Sequence, residues 1–587
     1  MAAIDMAGMA APRLTWNSLG LAGALGGIAM LGLLPFVWAV HHFPLSSFDS
    51  EVVSAWCLGF ALFFSASLGG RDTSIAWPLP TLLLGFSAIA LAQQMLGMLA
   101  YSQQAIRFLL YMGSMLAAYV FGRRVLAAGR AKEAIDFFCA AVLIGGLYSV
   151  CVQWLQLLDI EKLPMSIAFV YKSDAVQQRP FGNLGQSNHL TTYLGMSALS
   201  ALYLGVRARR TWLVVPSLLV IACGLAMTGS RMATAFLAIL IGALFAPSAL
   251  RPKVTALRWV AAAALLAGYI VGIIAVRTVA GDFDTIARFG ANTWPLRREL
   301  WWQAWHIALK QPLLGLGVGQ FPAGQFWVAR PSPFNAMANN CHNIVLHVAA
   351  EFGWPAALAV GALALNWGVR DLRRRIERPE LALAFGLLLL VAIHSMLEFP
   401  LWYLYFAIPA AFLFGLAEPE RQANASVDVT LILPISGLAV LGVGLALSVN
   451  YSWIAQASAP AWLEANHIRT RAPEDALLVI SIADSKLFQP EADRLMIDLK
   501  HPPDENTNGP MERTARLARA LPVPELVTQY VVLLARAGRV EEATQYASRL
   551  SLFASDRYPD ERDRILDQIR DLGPQTAPLR HALRELH

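Results

Sequence analysis

Five short polar strings interrupt the long apolar runs of this sequence, and they carry the residue types best suited to chemistry. The first is Gln177, Gln178, Arg179, Pro180, Phe181, Gly182, Asn183, Leu184, Gly185, Gln186, Ser187, Asn188 and His189. Its two glycines permit tight turns, and its amides and guanidinium supply many donors. It therefore reads as the lining of a polar pocket at a helix mouth, or else as a polar loop that ends in a helix cap. The second string, Thr228 to Arg231, is pinched between two apolar runs. A guanidinium there matches phosphate oxygens bidentately; the competing reading is an arginine snorkelling to lipid headgroups. The third, Arg297, Arg298, Glu299, Leu300, Trp301 and Trp302, suits a helix lying at a membrane interface; the competing functional reading has one of the paired arginines turned inward to share the anionic ligand of Arg231. The fourth, Asn340, Cys341, His342 and Asn343, begins another apolar run. A histidine at the wet end of a helix can abstract a proton from a hydroxyl, against the alternative of a structural histidine; Cys341 is a poor candidate nucleophile. The fifth runs from His394 through Glu398, Phe399 and Pro400 to Tyr403 and Tyr405, where an acid beside a Pro-broken junction suits a buried site and a Trp/Tyr interfacial anchor is the rival. The triplet Asp282, Phe283, Asp284 looks like a metal pair used with nucleotide sugars, a weak signal because such donors are cytoplasmic.

These strings need a scaffold, and the composition indicates which kind. The 587 residues are 56% hydrophobic and only 15% charged, against roughly 25% charged in soluble proteins, and the mean hydropathy is +0.49. An ordinary soluble globule, a disordered chain and a fibre are excluded. The net charge of +6 does not indicate nucleic acid, because Lys and Arg punctuate apolar runs and do not cluster on one amphipathic face. The five cysteines show no CxxC or metal-type spacing, so neither a disulfide framework nor a zinc site is expected.

About thirteen apolar runs are candidate membrane spans: 19–40, 52–68, 77–92, 106–121, 134–157, 190–205, 213–227, 233–245, 259–276, 344–367, 381–395, 401–416 and 429–449. The first is long enough to be a retained helix and not a cleaved leader. Every second loop is basic: Arg123, Arg124, Arg130 and Lys132; Arg207, Arg209 and Arg210; Arg251, Lys253 and Arg258; Arg370, Arg373, Arg374, Arg375 and Arg378. Placing these loops inside puts the amino terminus inside. The segments 159–189 and 277–342, the turn at Glu398 and the chain after Val449 then lie outside, which in a bacterium is the periplasm. All five polar strings fall on that one face. The expected fold is an all-α polytopic bundle of about 12–13 spans over residues 1–449, including the outer loop 277–342, followed by a soluble helical domain at 450–587. Within the latter, Leu526 to Leu550 around Gly538 reads as one tetratricopeptide-like hairpin, and Pro502, Pro503, Asn506, Asn508 and Gly509 read as a linker.

Taken together, RPFGNLGQSNH from Arg179, TGSR ending at Arg231, RRELW from Arg297, the HN at His342 and HSMLEFPLWY from His394 resemble the bacterial O-antigen ligase and polymerase superfamily. RPFGNLGQSNH and HSMLEFPLWY look most like its protein O-oligosaccharyltransferase branch, which glycosylates pilins and other periplasmic proteins. The resemblance implies a GT-C-type inner-membrane glycosyltransferase that needs no cofactor, neither nucleotide nor obligatory metal. Its donor would be an undecaprenyl-diphosphate-linked oligosaccharide, and its acceptor a Ser or Thr hydroxyl of a periplasmic protein. By that resemblance His342 would activate or orient the acceptor hydroxyl, while Arg231 with Arg297 or Arg298 would hold the leaving diphosphate, whose charge fixed guanidinium groups favour. Gln178 or Gln186, Asn188, Glu398 and Tyr403 would line the glycan and acceptor pocket, with Arg179, His189 and Asn343 in the same motifs. Ser187 and Phe399 depart from the Pro and Tyr common in the family, so that Tyr403 or Tyr405 would have to supply any tyrosine chemistry.

The alternatives are ligation to lipid A-core, polymerisation of O-antigen repeats, and, from a different class, a flippase for lipid-linked glycan. A flippase predicts polar residues along a path through the bilayer, whereas here they gather at one face.

Overall fold

The computed structural model describes residues 16–69, 72–158, 179–208, 211–280, 294–370, 372–418, 425–465, 486–498 and 508–586. Helices occupy the apolar runs in order: α1 (Trp16–Val37), α2 (Phe48–Phe63), α3 (Pro78–Met95), α4 (Ser102–Ala127), α5 (Ala131–Leu157), α6 (Ser187–Ala208), α7 (Thr211–Met227), α8 (Arg231–Phe245) and α9 (Thr255–Ala280). The segment after α9 contributes α10 (Trp294–Lys310) and α11 (Phe321–Val328). Then come α12 (Ile344–Phe352), α13 (Trp354–Val369), α14 (Pro379–Ser395), α15 (Leu404–Ala417) and α16 (Ile432–Ala465). Among the described residues, six helices are both long and apolar enough to cross a membrane, and five shorter apolar helices stand beside them. The architecture is an all-α polytopic bundle.

The helices pack through small residues. A Cβ on Gly122 of α4 would stand 2.3 Å from the Phe412 carbonyl of α15, and one on Gly415 of α15 would stand 2.4 Å from the Tyr119 carbonyl of α4. Without a hydrophobic driving force in lipid, such close approach is what lets van der Waals packing hold helices together.

The apolar run 344–367 is two helices, not one. Gly353 sits at φ 86° between α12 and α13, and a Cβ on it would lie 2.4 Å from the Leu313 carbonyl. The preceding Leu-Gly-Leu-Gly string crosses the end of α12 backbone to backbone. Leu316 N–H donates to the Ala350 carbonyl at 2.8 Å, and Trp354 N–H to the Pro312 carbonyl at 2.9 Å. Thus α12 belongs with α10 and α11 as a cap on the bundle, and its N-terminus is free to present His342.

At the opposite end of the bundle two short strands, β1 (Asp72–Ile75) and β2 (Ala425–Asp428), pair antiparallel with Asp72 opposite Asp428. Arg123, expected in a loop, lies instead in α4, fully buried, because the helix continues to Ala127 and the ladder supplies acceptors. Its Nε donates to the Ser74 carbonyl at 2.7 Å, and its Nη1 donates to the Glu418 carbonyl.

The C-terminal helices are α17 (Gln489–Asp498), α18 (Asn508–Ala520), α19 (Pro524–Arg536), α20 (Val540–Phe553), α21 (Tyr558–Gln568) and α22 (Ala577–Glu585). Gly538, at φ 76°, turns the chain between α19 and α20, whose apolar faces form one core with Tyr101, Phe326 and Ala329 of the preceding segments. Arg107 of α4 clamps Glu491 with two hydrogen bonds of 2.9 and 2.6 Å, and the Tyr101 hydroxyl donates to Asp493 at 3.0 Å. Helix α16 runs unbroken past Val449. Of the linker residues, Pro502, Pro503 and Asn506 lie outside the described residues.

Candidate active site

Arg179 leads the chain into α6 through turns at Gly182 (φ 62°) and Gly185 (φ 68°). The turn is held from α5: Gln156 Oε1 accepts from the Phe181 and Gly182 amides at 3.0 and 2.9 Å, and Gln156 Nε2 donates to the Gly182 carbonyl at 2.7 Å. This fixes where Asn188 enters the first turn of α6. Helices α7 and α8 meet in an equally tight turn at Gly229 (φ 58°). There Ser230 caps α8 by accepting from Met232 N–H, which leaves Arg231 as the first helical residue.

These two turns, the start of α10 and the end of α14 surround a cavity of about 210 Å³ whose lining includes Arg179, Asn188, Ser230, Arg231, Arg297, His342 and Glu398. All five polar strings thus contribute residues to one cavity at one end of the bundle. Across the cavity runs a chain of hydrogen bonds. Ser230 Oγ donates to Asn188 Oδ1 at 2.7 Å, Asn188 Nδ2 donates to Glu398 Oε1 at 2.9 Å, and Glu398 Oε2 lies 3.0 Å from His342 Nδ1. A carboxylate on Nδ1 favours the proton there and leaves Nε2 able to accept one, an orienting arrangement that activates histidines elsewhere.

His342 is held in an uncommon backbone conformation, at φ 55°, and is the one described non-glycine residue with positive φ. Such a conformation costs on the order of 1–3 kcal/mol and persists where the surroundings over-determine it. Here Asn340 Oδ1 accepts from the His342 amide at 3.0 Å, while Asn343 caps α12 by accepting from Val345 and Leu346 N–H at 3.1 Å.

Two charged groups respond to one another across the cavity. Burial pushes the Glu398 carboxyl up, but the hydrogen bond and charge of His342, the charge of His394 and the Asn188 amide outweigh it, and the group is held below the usual carboxylate value. Burial lowers the Arg297 guanidinium; Glu398 raises it and Arg231 lowers it further. A guanidinium starts so far above neutrality that Arg297 remains a cation. The geometry therefore selects Arg297 over Arg298: Arg297 lines the cavity, and its neighbour is exposed. Arginines on one side and an oriented imidazole on the other can stabilise a departing phosphate while deprotonating a hydroxyl.

The remaining sequence candidates lie elsewhere. His189 is buried behind the cavity, with Nδ1 2.8 Å from the Tyr405 hydroxyl and its ring 4.6 Å from that of Tyr403. Tyr403 packs between Phe399 and Tyr405, at 5.5 and 5.3 Å. Neither these nor Gln186 is among the lining residues, and the Asn343 carboxamide oxygen is committed to its cap. Gln178 and the Asp282–Asp284 triplet lie outside the described residues. Burial pushes the Cys341 thiol up to about 12, which keeps it protonated at neutral pH, and its Sγ faces the Asn343 carbonyl at 3.3 Å. Sequence reading missed Gln156, whose only signal was an amide in the last turn of an apolar helix.

Comparison with known proteins finds similarity over most of the stretches that form this cavity. The family model described as O-antigen ligase matches residues 215–361, one described as virulence factor membrane-bound polymerase, C-terminal, matches 382–564, and one described as protein glycosylation ligase matches 180–204. The general O-oligosaccharyltransferase of Acinetobacter baylyi is 24% identical over 437 residues, covering 69% of this chain and 72% of that protein. The matched stretches contain Arg231, Arg297, His342 and Glu398, and these similarities support the O-antigen ligase and O-oligosaccharyltransferase superfamily and indicate a membrane glycosyltransferase-type enzyme.

Proposed function

We propose that this enzyme transfers an oligosaccharide en bloc from undecaprenyl diphosphate to Ser or Thr hydroxyls of periplasmic proteins such as pilins. The observation that carries the reading is the cavity in which Arg179, Arg231 and Arg297 face the His342–Glu398 pair. The acceptor hydroxyl gives its proton to His342 Nε2 as its oxygen attacks the anomeric carbon of the first sugar. The bond from that carbon to the diphosphate oxygen breaks, and the carrier leaves as undecaprenyl diphosphate, its charge held by the guanidinium groups. Glu398 keeps the imidazole aimed and stabilises the imidazolium once formed, and Asn188 and Ser230 keep Glu398 aimed. The site would face the periplasm of a bacterial inner membrane, together with the C-terminal helices.

The match of the protein glycosylation ligase model to 180–204 supports a protein acceptor. The match of the O-antigen ligase model to 215–361 supports a second reading, transfer to lipid A-core, and the polymerase match to 382–564 a related one. The deciding experiment supplies purified protein with undecaprenyl-diphosphate oligosaccharide and either a Ser-bearing pilin or lipid A-core. Glycosylated pilin that vanishes with His342→Ala and Arg231→Ala supports the first reading. Product on lipid A-core alone supports the second, and product on neither sinks both.

A further inference from the structure

Most of the cavity is built from helix ends and the turns beside them, whereas His342 arrives on the segment 329–343 between α11 and α12. What fixes that segment is a network of three carboxamides. Gln303 of α10 and Gln325 of α11 are both fully buried. Gln325 Nε2 donates to Gln303 Oε1 at 2.8 Å and to the Ala336 carbonyl at 3.2 Å, and Gln325 Oε1 accepts from Ala338 N–H at 3.0 Å. Gln303 Nε2 donates to Asn335 Oδ1 at 3.1 Å. Asn335 Nδ2 then donates twice, to the Arg330 carbonyl at 2.8 Å and to the Leu552 carbonyl at 2.9 Å.

The last of these bonds reaches out of the catalytic region. Leu552 lies in the final turn of α20, where carbonyls lack partners within the helix, and Asn335 satisfies one of them across 217 residues of sequence. The same C-terminal helices cover the neighbouring apolar surface. Phe326 of α11 lies 5.9 Å from the rings of both Tyr546 and Phe553, and Ala329 is buried in their common core. Helix α10 is tied to the segment a second time, because buried Glu299, two residues from Arg297, accepts from Arg330 Nη2 at 2.9 Å. The Arg330 guanidinium in turn lies 3.9 Å over the Trp302 ring.

Resting on the reading under Proposed function, we infer that Asn335, with Gln303 and Gln325, is a positioning residue through which the C-terminal helices hold Arg297 and His342 in register. Each carboxamide uses both its donor and its acceptor side, so rotating any one of them breaks bonds to the others. With Gln303 and Gln325 fully buried, a neutral network of this kind tolerates little slack. Since misplacing a reacting group by about 1 Å can cost a hundredfold in rate, the C-terminal helices act on the chemistry itself and not only on acceptor capture.

The test uses the full-length chain carrying Asn335→Leu, which keeps the side-chain size and removes the amide, or Gln303→Glu, which keeps acceptance from Gln325 and cannot donate to Asn335. Two readouts are taken: steady-state transfer, and hydrogen–deuterium exchange across residues 336–343. Expected for both variants is a kcat lower by about ten- to a hundredfold, with KM for the lipid-linked donor within about twofold. The loss should be equal on protein and lipid acceptors, with faster exchange at 336–343 and unchanged exchange in α13 and α14. Unchanged kcat per folded molecule would overturn the inference, as would a defect confined to KM for the protein acceptor, or unaltered exchange at 336–343. The exchange measurement is decided whether or not the wild-type chain transfers glycan, so an inactive wild type counts against the proposed function and not against the positioning network.

Discussion

At the scale of single residues, adjacent arginines have opposite fates. Arg297 and Arg298 are neighbours in α10, and one step along a helix turns a side chain by about 100°, which puts the first in the cavity and the second in solvent. Arg297→Ala should cut kcat by about two to three orders of magnitude, as removal of a preorganised charge-stabilising group does, whereas Arg298→Ala should change it by less than about twofold; steady-state transfer assays compare them directly. The sequence offered one of the pair as turned inward, beside a plain interfacial helix, and could not show which, since facing depends on how α10 packs. Likewise the pairing of His342 with Glu398 spans 56 residues and leaves no local trace, although each residue stood out by itself. Glu398 also makes a prediction in pH. Its carboxyl is held below the usual value in the folded chain, so the stability it contributes is complete above the unfolded value of about 4.3 and is lost as pH falls through the lower folded value. Glu398→Gln should therefore lower the unfolding temperature at pH 7, and the gap from wild type should close below about pH 4, as a thermal melt series would record.

At the scale of elements, hydropathy located helices well because a run of apolar residues is a strong signal. It failed at Gly353, where composition stays apolar across a break. What ends α12 is a contact from elsewhere, the Leu313 carbonyl pressed against a position with no side chain. The short strands β1 and β2 were invisible for a similar reason: four residues are too few to establish alternation. Gly353→Ala would force both a positive φ and a steric overlap, and should destabilise the chain by more than about 1 kcal/mol and shift the junction between α12 and α13. Circular dichroism melts and transfer activity should fall together. By contrast the α19–α20 hairpin was legible, since its apolar period and Gly538 are both local.

At the scale of the whole molecule, two regions distant in sequence are fastened by few polar contacts. The Arg107–Glu491 pair is partly buried and bidentate, which places it among the stronger kinds of ion pair. Arg107→Ala and Glu491→Ala should each increase protease cleavage between α16 and α18, and in a double-mutant cycle the pair should show a coupling of about 1 kcal/mol. Nothing in the charge pattern announced this pair, because its two members lie 384 residues apart.

The β1–β2 ladder bears on how the chain is made. Residues 72–75 leave the ribosome long before residues 425–428, their partners, and Arg123 meets the Ser74 carbonyl early but must wait for Glu418. Until then a buried cation is incompletely satisfied and a strand edge is open, the kind of intermediate that cellular quality control recognises. Synthesis of this protein thus includes a late fastening step, and chains cut just before residue 418 should be degraded in the cell even though they contain every residue lining the cavity.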